Sequence, residues 1–208
     1  ATRVEGLPSA GLAVQGTTDY EDLVFGGWDL NSDDRAAAAT GHGVLTKQDI
    51  ENGAQVRKGI TPWPAVGSAK FCKNIEGGNR IVAKDHRETI SIIANDLKRF
   101  RQESNLDEVV VVNLASTERW PDLTAAVLNS TEAFEKGLDT DDESISPAML
   151  YAYAAIKSGV PYANFTPSVA ADVPALLNLA KELGVPVAGK DGKTGQTMMK
   201  TVLAPAFN

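Results

Sequence analysis

The residues with the most chemistry lie between Ala188 and Leu203, AGKDGKTGQTMMKTVL. Asp191, Lys193, Thr194 and Gln196 are set among glycines, between the apolar run Val185–Val187 and a helical pattern that carries Lys200 one turn beyond Gln196. A strand, a polar loop and a helix start in succession offer unpaired backbone N–H groups and a partial positive charge. Lys193 adds an ammonium and Thr194 a hydroxyl, so the predicted chemistry is the holding of an anionic ligand. Gly192-Lys193-Thr194 ends as a triphosphate-binding loop ends, but that motif needs a glycine at the position of Val187, and the spacing excludes it. The plain alternative is a glycine-rich corner with solvated lysines.

The elements that must position this stretch alternate. Ser32 to Thr40 reads as a helix, with Asp33 and Asp34 before an alanine run, and Thr46 reads as the cap of another. Ile90, Ile93, Leu97 and Phe100 fall at helical spacing. Glu108 to Leu114 (EVVVVNL) is a β-branched run, as expected of a parallel strand buried on both faces. Pro121 suits the first turn of a helix carrying Leu123, Ala126, Leu128 and Phe134, and Ser146-Pro147 opens the next. A strand over 160–165, a helix over 172–183 with Gly184 as its cap, and the strand at 185–187 follow. Leu23-Val24-Phe25 predicts a further short strand, and residues 58–84 carry no assignable pattern. The fold class predicted is α/β, a parallel sheet with flanking helices and right-handed crossovers. In such sheets ligands lie outside the carboxyl ends of the strands. The loops there, FGGWDL, NLASTERW, NFTPS and AGKDGKTGQT, are rich in glycine, small hydroxyls, amides and acids.

Composition excludes several function classes. The net charge of −7 over 208 residues argues against non-specific nucleic-acid binding, which rests on phosphate neutralisation. Cys72 is the one cysteine, so there is no intramolecular disulfide or multi-cysteine metal site, which fits a reducing cytoplasm. The longest aliphatic run, Val109 to Val112, is far short of a membrane span. With His42 and His86 as the two histidines, a catalytic triad or histidine-rich zinc site is not expected. Asp139, Asp141 and Glu143 alternate like a calcium loop, but Ser144 stands where a glycine is required, so a solvated acidic turn is predicted and no metal.

Four blocks, DLVFGGWDL (22–30), VVNLASTERW (111–120), GVPYANFTPS (159–168) and GKDGKTGQT (189–197), resemble the inositol-3-phosphate synthase family in that family's order. The resemblance covers residues from about 20 onward and lies in the family's NAD-binding portion, a Rossmann-like domain. It divides the chain into an irregular arm, 1–20, and a partial Rossmann-like domain, 21–208. No G-x-G-x-x-G occurs, and the segment that follows Phe207 in the family is absent. The expectation is a piece of a longer protein, without the first strand and the catalytic, tetramer-forming insertion. This piece alone is expected to be inert.

The resemblance implies conversion of D-glucose 6-phosphate to 1D-myo-inositol 3-phosphate, with NAD as cofactor, in a cytoplasmic homo-oligomer, a tetramer in the family. It places Asp29 by the adenosine ribose, the alternative being a turn aspartate. Asn113, Ser116 and Thr117 would line the dinucleotide, the alternative being a capping cluster. Asn164 and Thr166 lie at the next strand end, and Glu118 and Arg119 are expected to pair with each other. Asp191, Thr194 and Gln196 would sit beside the nicotinamide, with Asp191, Lys193 and Lys200 in catalytic roles. Two alternatives stay open, a net NAD-dependent oxidoreductase and a non-catalytic dinucleotide-binding protein.

Overall fold

The computed structural model describes residues 18–19, 22–43, 46, 48–49, 60–192, 203 and 205. The chain divides into two compact units, Ala1–Ala65 with Glu76–Arg80, and Val66–Ile75 with Ile81–Asn208. The first holds helix α1 (Arg35–His42) and a set of polar turns. No strand forms over Leu23-Val24-Phe25, where one is predicted. All three side chains are exposed there, so the run lies at the surface and not within a sheet. Pairing begins instead at Trp28, in an isolated bridge to Trp63, with the two indoles edge to face at 5.2 Å.

The second unit is the α/β body. Its elements in order are α2 (His86–Glu103), β1 (Val111–Asn113), a 3-10 turn (Ala126–Leu128), α3 (Thr131–Asp139), α4 (Pro147–Lys157), β2 (Tyr162–Asn164), α5 (Pro174–Leu183) and β3 (Val187–Ala188). The strands form a parallel sheet in the order β1-β2-β3, with Val111 beside Tyr162 and Asn113 beside Asn164. Helix boundaries follow local chemistry. Asp85, Ser130 and Ser146 each accept an N–H from the third residue beyond, and Gly184 ends α5 at φ 67°. Pro147 and Pro174 sit in first turns, where no N–H is missed.

Two expectations change. The helix predicted from Pro121 starts ten residues later, at Thr131. Asp122 accepts from both the N–H and the hydroxyl of Thr124, which turns the chain, and Ser130 then supplies the cap. The EVVVVNL strand is not buried on both faces: Val109 and Val111 are buried, while Val110 and Val112 are 58% and 49% exposed. The helices cover one side of β1 among the described residues. That side is built on α4, whose residues from Ala148 to Ile156 are nearly all buried, and which packs against α2, α5 and β2.

The acidic turn at 139–143 is not merely solvated. Asp141 accepts the His86 N–H at 2.6 Å, and Arg87 binds Asp139 at 2.8 Å and Glu135 at 2.5 Å. These contacts tie the start of α2 to the end of α3. Among the described residues no cluster could hold a metal ion.

Candidate functional site

The carboxyl ends of β1, β2 and β3 meet in one hydrogen-bonded group. Its centre is the loop after β2, Asn164-Phe165-Thr166-Pro167-Ser168. The Asn164 side-chain oxygen accepts from the Thr166 N–H at 3.1 Å and the Thr166 hydroxyl at 2.9 Å. Its amide nitrogen donates to the Ser168 carbonyl at 2.6 Å, and the Ser168 N–H donates to the Thr166 hydroxyl at 3.2 Å. Asn164, Thr166 and Ser168 are all buried, and a buried polar group must be paired in this way to be tolerated.

The neighbouring loops fasten onto this centre. From β1, the Asn113 amide donates to Asn164 at 3.1 Å and to Thr166 at 3.4 Å, while its oxygen accepts the Ala115 N–H. The Asn113 side chain is therefore spent on the fold. Beyond β3, the Asp191 and Gly192 N–H groups donate to the Thr166 and Phe165 carbonyls. These two amides are bound to the protein, so this part of the loop is no open anion cradle. Gly189 lies so close to β2 that a Cβ there would fall 2.8 Å from the Asn164 carbonyl oxygen. Lys190 pairs with Asp172 at 2.5 Å and stands 5.2 Å over the Trp120 ring, whose indole N–H bonds the Pro167 carbonyl.

What remains for a ligand is a smaller set. Ser116 and Thr117 are exposed, and neither makes a hydrogen bond among the described residues. Asp191 is exposed on left-handed backbone, φ 66°, held by its amide, with no partner for its carboxylate among the described residues. Two hydroxyls and one free carboxylate beside a rigid strand edge suit a polyhydroxylic, amide-bearing ligand such as a dinucleotide. Lys193, Thr194, Gln196 and Lys200 lie outside the described residues.

In the first unit Asp29 accepts the Asn31 N–H at 2.9 Å through one carboxylate oxygen. That is the turn role, and it leaves the second oxygen available. Asn79 donates to the Asp29 carbonyl and so fixes the backbone beneath it. A cleft of about 460 Å³ opens between Leu30-Asn31-Ser32 and the turn Glu76–Asn79.

Glu118 and Arg119 do not pair with each other. The Glu118 carboxylate accepts the Ala148 N–H at the start of α4 at 2.9 Å, from thirty positions away along the chain, and its own N–H donates to Ser168 at 3.0 Å. Burial pushes its carboxyl above the usual carboxylate range, against the opposing hydrogen bonds from Ser146 and Ala148. Burial likewise raises the Tyr151 and Tyr162 hydroxyls, with the Glu118 charge adding to it. The sequence reading pairs Glu118 with Arg119 and assigns Asn164 and Thr166 no more than a place at a strand end. The N-x-T-P-S turn pattern was a signal for the second pair; nothing local marks the first.

The fold and site together define a class: a parallel α/β domain whose polar loops gather at the carboxyl edge, as in dinucleotide-binding proteins. A sequence model of the NAD-binding domain described as myo-inositol-1-phosphate synthase matches residues 13–206. The chain belongs to the myo-inositol-1-phosphate synthase family, and NAD is the cofactor of that domain. It is 38% identical over 191 residues to inositol-3-phosphate synthase 1 of Bacteroides thetaiotaomicron, covering 91% of this chain and 44% of that protein. Identity to inositol-3-phosphate synthase 1 of Oryza sativa is 35% over 187 residues, 88% of this chain and 36% of the relative. A crystal structure of inositol-3-phosphate synthase from Caenorhabditis elegans superposes with a TM-score of 0.82 at 27% identity, over 91% of this chain and 38% of that one. The chain thus spans less than half the length of these relatives. No helix among the described residues is long and apolar enough to cross a membrane.

Proposed function

We propose that the chain is the dinucleotide-binding portion of an inositol-3-phosphate synthase, whose full-length form cyclises D-glucose 6-phosphate to 1D-myo-inositol 3-phosphate. The observation that carries this reading is the joined carboxyl edge of β1, β2 and β3. It holds Ser116, Thr117 and Asp191 outward on a network closed behind them. The chemistry that bound NAD would supply is the uptake of a hydride from a sugar carbon and its later return. Ser116 and Thr117 hydrogen-bond the dinucleotide, and Asp29 accepts from its adenosine ribose. Asn113 acts behind them by holding its loop. Asp191 orients the nicotinamide or a bound cation, beside Thr194 and Gln196. Lys193 and Lys200 supply positive charge for the sugar phosphate and for the enolate that precedes ring closure. Held curled by those charges, the sugar chain meets its own aldehyde without a bimolecular encounter.

The test uses the full-length protein with NAD and glucose 6-phosphate. Formation of inositol phosphate, followed by phosphorus NMR, without net NADH supports the reading. Net NADH would make it an oxidoreductase, and NAD binding without product a non-catalytic binder. Asp191→Asn and Lys193→Ala should each lower turnover by a hundredfold or so, the scale of a lost electrostatic contact in a transition state; near-normal rates would remove both from the mechanism. The acidic composition, the lone Cys72 and the family membership also support a cytoplasmic homo-oligomer, a tetramer, serving inositol and phospholipid synthesis. Light scattering on the full-length protein checks the assembly.

A further inference from the structure

The stretch from Leu114 to Thr117 is strung between two anchors. On its amino side Asn113 accepts the Ala115 N–H and donates into the β2 loop. On its carboxyl side the chain is fixed at three successive residues. Glu118 bonds Ser168 through its N–H, Arg119 bonds the Phe71 carbonyl through its N–H at 2.7 Å, and Trp120 bonds Pro167 through its indole. Glu118 is the first fixed residue after the exposed stretch. It alone is held at both ends, because its carboxylate also reaches the Ala148 N–H of α4. That helix end carries partial positive charge and unpaired N–H groups, which offset part of the cost of burying the carboxyl group there. Among the described residues α4 is the most buried helix of the unit, so its start is anchored in the core.

From this juxtaposition we propose that Glu118 is the positioning residue that sets the exposed Ser116-Thr117 loop. It ties the loop to the start of α4 on one side and to the closed β2 turn on the other. Its reach is part of the assignment. An aspartate, one methylene shorter, keeps the charge but cannot span to Ala148 while its N–H stays on Ser168. A glutamine keeps both the reach and an acceptor oxygen. The consequence for ligand binding rests on the dinucleotide reading above; the positional claim does not.

The experiment compares full-length wild type with Glu118→Ala, Glu118→Asp, Glu118→Gln and Ile93→Val, a buried α2 control distant in sequence from the loop. Two quantities are read: hydrogen exchange of the Ala115, Glu118 and Arg119 amides, and the NAD dissociation constant by calorimetry. Alanine and aspartate should speed exchange at all three amides about tenfold and raise the NAD constant about tenfold. Glutamine should stay within about twofold of wild type in both. Ile93→Val should lower the melting temperature and change neither. Should Glu118→Ala and Glu118→Asp behave as the Ile93 control does, or should glutamine fail to rescue, the positional assignment is overturned. If exchange follows the prediction while wild type does not bind NAD, the positional claim stands and the dinucleotide reading falls.

Discussion

Two loops of nearly the same composition leave adjacent strands of one sheet and end in opposite states. The loop after β2, NFTPS, closes on itself: the Asn164 and Thr166 side chains bond each other and the Ser168 backbone, the Ser168 hydroxyl takes the Glu118 N–H, and all three residues are buried. The loop after β1, NLAST, spends only Asn113 and leaves Ser116 and Thr117 exposed. Small hydroxyls and amides at a strand end are therefore not equivalent. Those that satisfy buried backbone make the platform, and those left over are what a ligand can meet. The difference comes from position in the sheet, because β2 lies between two strands and has loops on both sides to hold.

The largest effect should come from breaking the closed loop. Asn164→Ala removes one oxygen that serves three donors and one amide that serves the Ser168 carbonyl. Leaving several buried groups unpaired should cost about 3 kcal/mol. Denaturant unfolding measures it, with an unchanged slope expected. A loss under about 1 kcal/mol would mean the network is not what closes this edge.

Next in size is Gly189→Ala. Its backbone has φ 140°, and the added methyl would press on the Asn164 carbonyl oxygen at 2.8 Å and its Cβ at 2.9 Å. Backbone strain and overpacking together should cost about 2 kcal/mol and shift β3 away from β2. A thermal melt of the variant against wild type reads the loss. The closed loop is thus guarded from its β3 side as well.

Much of this frame is readable from residues alone. Caps, first-turn prolines and Gly184 placed most helices to within a few residues, since these signals act on the chain beside them. The four valines from Val109 to Val112 gave the strand but misled on burial, because a both-face run says nothing about which face its helices cover. Pro121 misled because Asp122 made a local turn that competed with the helix. The candidate site was legible as a set of loops at one edge. Which polar group faces inward was not, since that depends on partners such as Ala148 for Glu118 that no spacing reveals.

A smaller and pH-dependent effect separates the two loops at their shared anchor. Folding raises the Glu118 carboxyl, chiefly through burial, with Tyr151 and Tyr162 around it and the bonds from Ser146 and Ala148 opposing. The folded state therefore holds this proton more tightly than the unfolded chain does. That stabilisation is full below the ordinary carboxylate value of about 4.3 and is lost as pH rises through the raised folded value. Glu118→Gln does not titrate, so its melting temperature relative to wild type should rise as pH goes from about 4 to 7. A flat or falling difference would mean the carboxylate is better solvated than its neighbours imply.

The smallest effect on stability should come from the open loop, and it should carry the largest effect on binding per unit of stability lost. Ser116→Ala and Thr117→Val remove hydroxyls that bond nothing among the described residues, so unfolding free energy should move by no more than about 0.5 kcal/mol. If these hydroxyls bond the dinucleotide, each loss should weaken NAD binding of the full-length protein about five- to tenfold, the worth of one hydrogen bond of about 1 kcal/mol. Calorimetry and a thermal melt on the same samples give both numbers. The reverse pattern, destabilisation with unchanged NAD affinity, would place Ser116 and Thr117 with Asn164 in the platform and erase the distinction between the two loops.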